Sequence, residues 1–89
     1  MNPRVKGVRC GNDFSLVLDF DNGERRRFDC RPFLDRGVFR ELRNLAYFRQ
    51  VRVEGGTVAW PHEQDFCPDT LYQDSIPIAH PEDAEEGKP

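Results

Sequence analysis

The chain has 89 residues, which is the length of one small domain and leaves little room for a deep catalytic cleft. Its formal net charge is −3, but residues 81–89 hold four of the sixteen acidic and one of the thirteen basic residues, so residues 1–80 are electrically neutral. A neutral body lacks the strong basic excess that is typical of nucleic-acid-binding proteins.

The sequence shows no membrane-spanning or targeting pattern. No apolar run approaches the roughly 20 residues that a membrane helix needs, and the first four residues do not lead into a signal peptide. We therefore expect a soluble, cytoplasmic protein with no membrane partner. Residues 1–78 should form one compact domain, whereas residues 79–89 offer no large apolar side chain and should form an acidic, disordered tail.

The cysteine pattern argues against a zinc site. Cys10, Cys30 and Cys67 are widely spaced, are odd in number and include no CxxC pair. We therefore expect buried free thiols.

Two strands are predicted at the N-terminus. In residues 4–10, Val5 and Val8 share one face only if a bulge lies at Gly7. Residues 14–20 alternate strictly, which is the signature of a half-buried strand. The apolar positions of this second strand are Phe14, Leu16, Leu18 and Phe20.

Residues 24–30 return as the partner of the second strand, and side-chain parity decides the connecting loop. A two-residue loop would set charged residues against the apolar face. A three-residue loop that ends in a left-handed Gly23, as a G1 bulge, preserves one apolar face. This register predicts the following pairs: Leu16 with Phe28, Phe14 with Cys30, Leu18 with Arg26, and Asp19 with Arg25.

Short helical turns are predicted after the first hairpin. Residues 31–37 fit a single turn with Pro32 at an early position. Apolar residues then recur at helical spacing over residues 39–48, as two short turns separated by Asn44, which can cap the second turn. We expect this aromatic-rich stripe to pack in the core.

A second hairpin is predicted around Gly55-Gly56, since a two-residue loop there pairs Val53 with Val58 and Val51 with Trp60. Pro61 then ends the strand because it lacks an N–H. Pro68 can begin a last helix, with Asp69 favourably placed in its first turn. After residues 75–78 we expect no further structure.

These elements predict an α+β fold. It contains a small antiparallel sheet built from the two β-hairpins plus the first strand, with short helices packed on one face. An unpaired edge of such a sheet could join a second copy, so we include a homodimer among the expected assemblies.

Polar residues are densest between His62 and Asp69, but their spacing matches no known metal or catalytic pattern. They lie on a turn that should be mostly in water, where no base is held close to a nucleophile. We therefore predict that the protein is not an enzyme and has no catalytic residue, metal or cofactor. We expect these residues to cap the following helix and to form a solvated polar turn.

Trp60 is a candidate residue for a protein-binding surface. A Trp at the end of a strand most often fills the core, but the same position can leave one ring face exposed as a hot spot for a partner. The candidate partner-binding residues are Trp60, His62, Asp65, Asp69 and Tyr72.

The strand arginines offer a different hypothesis. An arginine-bearing sheet face can bind nucleic acid, and the candidates are Arg25, Arg27 and Arg52. Acidic residues are interleaved with them, however, which is more typical of a solvated surface with ion pairs.

The chain contains an ordered series of short motifs. They are Asp21-Asn22-Gly23, Phe28-Asp29, Pro32-Phe33-Leu34, Gly37-Val38-Phe39, Phe48 with Val51 and Val53, Gly56-Thr57-Val58-Ala59-Trp60-Pro61, and Asp65 with Pro68-Asp69-Thr70-Leu71-Tyr72. Together these motifs resemble the domain of unknown function 2442 family over residues 3–78. The resemblance implies a small α+β domain, similar to the N-terminal domain of longer bacterial proteins that carry a helix-turn-helix. Many members have Asn-Gly where this chain has His62-Glu63.

The resemblance also implies a partner. Stand-alone members are often encoded beside a small protein of another uncharacterised family, 4160, in an arrangement that resembles a toxin and antitoxin pair. Since the chain leaves no room for a helix-turn-helix, sequence-specific DNA binding is not carried over. Our leading hypothesis is a non-enzymatic bacterial interaction module, antitoxin-like, that binds a small protein through residues 60–72. The alternative is a nucleic-acid-binding regulatory domain that uses the strand arginines.

Overall fold

The computed structural model describes residues 2–78 and has an α+β architecture, as predicted. The expected disorder of residues 79–89 lies outside the described residues. A four-stranded antiparallel sheet has the order β1-β2-β3-β6, and β4 and β5 form a separate two-stranded sheet. The strands are β1 (Val5–Cys10), β2 (Ser15–Phe20), β3 (Arg25–Asp29), β4 (Arg52–Glu54), β5 (Thr57–Ala59) and β6 (Ile76–Pro77).

The predicted bulge in β1 is confirmed. Val5 pairs with Phe20, whereas Gly7 pairs with Asp19, so Lys6 is the extra residue. The bulge restores one apolar face, because Val8 then lies opposite Leu18.

The predicted register of the first hairpin is also confirmed. Leu16 pairs with Phe28, Leu18 with Arg26 and Asp19 with Arg25. Gly23 has a φ of 92°, as the left-handed position of the bulged loop requires. The N–H of Cys30 donates to the carbonyl oxygen of Phe14 at 3.0 Å, which continues the same register.

The loop between β1 and β2 holds a bulky residue in the left-handed region. Phe14 has a φ of 63°, so β2 begins at Ser15, one residue later than predicted. The Asp13 carboxylate accepts hydrogen bonds from the Ser15 hydroxyl at 2.5 Å and from its N–H at 3.2 Å. These contacts fix the turn that Phe14 closes.

The helical segment consists of short turns, as predicted. Two 3-10 helices span Arg31–Phe33 and Gly37–Arg43, and helix α1 spans Leu45–Phe48. The Asn44 side chain caps α1 by accepting a hydrogen bond from the N–H of Ala46 at 3.0 Å. Helix α2 spans Pro68–Gln73, with Asp69 in its first turn. No helix within residues 2–78 is long and apolar enough to cross a membrane.

The second hairpin has the predicted two-residue loop. Val53 pairs with Val58, and Gly55 and Gly56 have φ values of 61° and 83°. The hairpin does not extend the main sheet through a continuous ladder. It is held to the start of β1 by a 2.9 Å hydrogen bond from the N–H of Val5 to the carbonyl oxygen of Gly56.

Strand β6 was not expected from the sequence. Ile76 pairs with Arg27 and Pro77 with Arg26, just before the point after which we expected no further structure. The strand was missed because a two-residue strand has no detectable alternation, and because proline is tolerated only at a sheet edge.

The core lies between the inner face of the main sheet, the helical turns and the second hairpin. All ten aromatic residues are buried in it or packed against it. The expectation of three buried thiols is wrong for Cys67, which is exposed, and only partly met by Cys10, which is half-buried. Cys30 is buried, and burial raises the pKa of its thiol.

Candidate functional site

The chain reverses sharply after β5, in a turn from Trp60 to Gln64. The N–H of Glu63 donates to the carbonyl oxygen of Trp60 at 2.9 Å, and the N–H of Trp60 donates to the carbonyl oxygen of Gln64 at 3.0 Å. Glu63 has a φ of 72°, a conformation that favours glycine. His62 and Glu63 therefore form a turn at the positions where many members of the family that the sequence resembles have Asn-Gly.

Trp60 lies beneath this turn and does not belong to its surface. Its side chain is completely buried, and its Nε1 donates to the carbonyl oxygen of Phe48 at 2.8 Å. The candidate role of Trp60 as an exposed contact residue is therefore wrong. The ring fills the core because both its apolar body and its polar N–H find partners inside.

A buried polar cluster that the sequence did not indicate supports the turn. The Tyr47 hydroxyl donates to Oε1 of Gln64 at 2.7 Å and accepts a hydrogen bond from the N–H of His62 at 2.8 Å. Gln64, which is only 3% exposed, also donates from Nε2 to the carbonyl oxygen of Val38 at 3.1 Å and to Glu41 at 2.8 Å. The turn is thus attached to both α1 and the second 3-10 helix.

The His62 imidazole lies on the outside of this cluster. Its Nδ1 lies 2.7 Å from the nearer carboxylate oxygen of Glu41, and 66% of its side chain is exposed. The contact with His62, followed by that with Gln64, lowers the pKa of Glu41. His62 is therefore placed where a partner could reach it, in an orientation that Glu41 restrains.

The carboxylates next to His62 are exposed and electrostatically unbalanced. Between residues 53 and 78 the sequence has five acidic residues and no Lys or Arg. Within residues 2–78, Glu63, Asp65 and Asp69 form no ion pair with a basic side chain. Asp69 accepts a hydrogen bond from Nδ2 of Asn2 at 3.1 Å. We call the exposed residues His62, Glu63, Asp65, Cys67 and Asp69 the turn surface.

Tyr72 belongs to a different region, where it joins α2 to the first hairpin. Its hydroxyl donates to Glu24 at 2.6 Å, and the guanidinium carbon of Arg26 lies 4.4 Å from the centre of its ring. The hydrogen bond lowers the pKa of Glu24 and raises that of Tyr72. These internal contacts explain why Tyr72 is half-buried, and they separate it from the turn surface.

The three candidate arginines do not form one surface. Arg25 and Arg27 lie on the outer face of the main sheet, whereas Arg52 lies on β4 of the second hairpin. Each has an acidic partner, at the following nitrogen–oxygen distances: Arg25 with Asp19 at 2.6 Å, Arg27 with Asp13 at 2.6 Å, and Arg52 with Glu54 at 2.7 Å.

No grouping of His, Cys, Asp and Glu side chains within residues 2–78 could hold a metal ion. The turn surface offers charged and hydrogen-bonding side chains on a backbone that the contacts of Tyr47 and Gln64 hold in place.

Comparison with known proteins gives one match. A family described as a protein of unknown function (DUF2442) matches residues 5–77, which include every strand and helix of the structure. No curated protein and no solved structure matches the chain. Because the match extends over most of the sequence, the chain belongs to the DUF2442 family.

Proposed function

We propose that the chain is a non-enzymatic protein-interaction module whose turn surface binds a small protein partner. The observation that carries this proposal is the combination of turn-surface carboxylates that form no ion pair within residues 2–78 with a buried, hydrogen-bonded cluster beneath them. The gene arrangement implied by the family resemblance supports an antitoxin-like role in a bacterial two-gene pair.

Rigidity of the turn favours binding. A surface loop loses conformational freedom when it binds, at roughly 0.5–1.5 kcal/mol for each mobile side chain that becomes fixed. Here Tyr47 and Gln64 already hold the backbone of the turn, and Glu41 restrains the His62 ring. The part of this cost that belongs to the turn backbone and to the His62 ring is therefore met when the protein folds.

The charge of the turn surface indicates the chemistry of the partner. The three carboxylates have no cationic partner in the described part of the chain, so they attract basic side chains, and arginine is the residue that pairs best with carboxylates at interfaces. The same surface would repel nucleic-acid phosphates. We therefore propose a basic patch on the partner protein, with which Asp65 and Asp69 form ion pairs.

Affinity capture from the native host tests this proposal. The full-length tagged chain, an Asp65→Lys variant and an Asp35→Lys variant are captured with and without nuclease, and bound proteins are identified by mass spectrometry. Asp35 is the matched control, since its side chain is 89% exposed and lies outside the turn surface.

We expect one small protein to be enriched with the unchanged chain and with Asp35→Lys, but not with Asp65→Lys. Equal enrichment with both variants would remove the turn surface from the interface. Enrichment that disappears after nuclease treatment would favour nucleic-acid binding instead.

A further inference from the structure

The outer face of the main sheet is a second surface that the turn surface does not include. The core elements pack on the inner face, and the outer side chains of β1, β2, β3 and β6 lie in rows across the sheet. The central row runs from Arg9 through Val17 and Arg27 to Ile76. Ile76 is 63% exposed at the end of this row.

Most charges on this face are already paired. Arg25 binds Asp19 through two hydrogen bonds of 2.6 and 3.3 Å, Arg27 pairs with Asp13, and Arg31 pairs with Asp29 at 2.9 Å. The paired arginines are held close to the sheet by these carboxylates. These ion pairs fix the arginine side chains and leave little net charge on the face.

Lys6 and Arg9 differ from these arginines, because the side chain of neither forms an ion pair or hydrogen bond within residues 2–78. Both are exposed. Hydrogen bonds from Arg25 are the main cause of the lowered pKa of Asp19, and the positive charges of Lys6 and Arg9 lower this pKa further. The excess positive charge of the outer face is therefore concentrated on β1.

The β1 bulge adds a shallow hollow beside Lys6. The bulge makes Lys6 the extra residue, next to the side-chain-free Gly7. The hollow has a volume of about 330 Å³ and is lined by Lys6, Asp19, Phe20, Gly23, Glu24 and Arg25. Bulges commonly redirect a side chain at binding sites, and here the redirected group is an unpaired cation.

The composition of the face distinguishes between two kinds of anionic ligand. Single-stranded nucleic acid binds sheet faces largely by stacking its bases on aromatic rings. All ten aromatic residues are committed to the core, so none is available on this face. Val17 and Ile76 lie in the same row as Arg9, and they fit an apolar side chain flanked by carboxylates.

We infer that the outer face of the β1-β2-β3-β6 sheet is a docking surface for an acidic segment of a partner protein. Lys6 and Arg9 bind its carboxylates, and Val17 and Ile76 contact an apolar residue between them. This surface is separate from the turn surface, so the two can be tested independently.

Titration of the full-length, isotope-labelled chain with a defined peptide tests the inference. The probe is a short synthetic peptide with glutamates on both sides of one leucine and with blocked ends, and binding is followed by amide chemical shifts. We expect shifts at Lys6, Arg9, Val17 and Ile76, and a steep weakening as salt is added.

Single substitutions show which basic residues bind the peptide. Lys6→Ser and Arg9→Ser should each weaken peptide binding roughly three- to five-fold, as expected for an exposed ion pair. Arg40→Ser is the matched control, because Arg40 is exposed on the second 3-10 helix and forms no ion pair within residues 2–78. Its affinity for the peptide should remain within two-fold of that of the unchanged chain.

Three results would overturn the inference. Arg40→Ser could weaken binding as much as Arg9→Ser, which would show a response to net charge alone. A thymidine oligonucleotide could shift the same amides at lower concentration than the peptide. Finally, the peptide could bind only when Glu82, Asp83, Glu85 and Glu86 are changed to their amides, which would mean that the chain's own acidic residues occupy the face.

Discussion

The hydroxyl oxygen of Tyr47 lies 2.8 Å from the backbone nitrogen of His62, and through this contact α1 supports the turn surface. Tyr47→Phe removes this acceptor and also leaves Oε1 of the buried Gln64 without its donor. A buried polar group that loses its partner costs about 1–3 kcal/mol. We therefore expect the free energy of unfolding, measured by urea titration, to fall by about 2 kcal/mol.

Tyr72→Phe provides the control for this prediction, since it is the same chemical change at another site. The Glu24 carboxylate that Tyr72 contacts also binds Asn22 and Arg26, and it is accessible to water. The loss of stability should therefore be smaller than for Tyr47→Phe. A larger loss at Tyr72 than at Tyr47 would contradict the assigned support of the turn.

Glu63 should be a site where glycine stabilises the protein. Its φ of 72° costs a residue with a side chain about 1–2 kcal/mol, although glycine recovers only part of this because the unfolded chain becomes more flexible. We expect Glu63→Gly to raise the free energy of unfolding by about 0.5–1 kcal/mol. Asp65→Gly should lower it, because the backbone of Asp65 has no positive φ. Thermal and urea unfolding of the two variants would give the comparison.

The two adjacent arginines of β3 should contribute very differently to stability. Arg26 points towards the inner side, where it lies over the Tyr72 ring and donates to the Ser75 hydroxyl at 2.7 Å and to its carbonyl oxygen at 2.8 Å. Arg26→Ala should cost about 2–3 kcal/mol through loss of packing and charged hydrogen bonds. Arg27→Ala removes an exposed ion pair and should cost less than about 1 kcal/mol. Equal losses in urea titrations would mean that the register is wrong.

The Asp13 carboxylate should make stability depend on pH. Hydrogen bonding to Ser15, together with the contact to Arg27, lowers its pKa from 3.8 to about 2. Because the folded pKa lies below the unfolded one, Asp13 stabilises the fold fully above about pH 4, and this contribution is lost as the pH falls towards 2.

Asp13→Asn removes the titrating group but keeps an acceptor for Ser15. The free energy of unfolding of this variant should therefore fall less steeply between about pH 4 and pH 2 than that of the unchanged chain. Some slope should remain, because four other carboxyl groups within residues 2–78 also have lowered pKa values. These are Asp19, Glu24, Asp29 and Glu41. Identical slopes for the two proteins would contradict the assigned role of Asp13.

Local periodicity explains which parts of the fold could be predicted. The alternation in β2 and the glycines of both hairpin loops determine strand pairing over short distances, and the register that pairs Asp19 with Arg25 followed from them. Strand β6 escaped prediction because its two residues pair with β3 across a long stretch of sequence, and such contacts leave no local pattern.

The candidate site was harder to predict for a related reason. The exposure of His62 and Asp65 follows from their polar turn, but the burial of Trp60 depends on Phe48 and Phe66, which are distant from one another in sequence. Gln64 and Tyr47 were missed because an isolated polar residue gives no sign that it will be buried opposite a partner. Because Gln64 lies between Glu63 and Asp65 in a polar turn, it resembled one more solvated residue.

The central claim is that the turn surface binds a basic partner, and the affinity of the purified partner for matched variants tests it most directly. Titration calorimetry would compare the unchanged chain with Asp65→Lys and Asp35→Lys. We predict at least a tenfold loss of affinity, about 1.4 kcal/mol, for Asp65→Lys and less than a twofold change for Asp35→Lys. Equal affinities for the two variants would contradict the account.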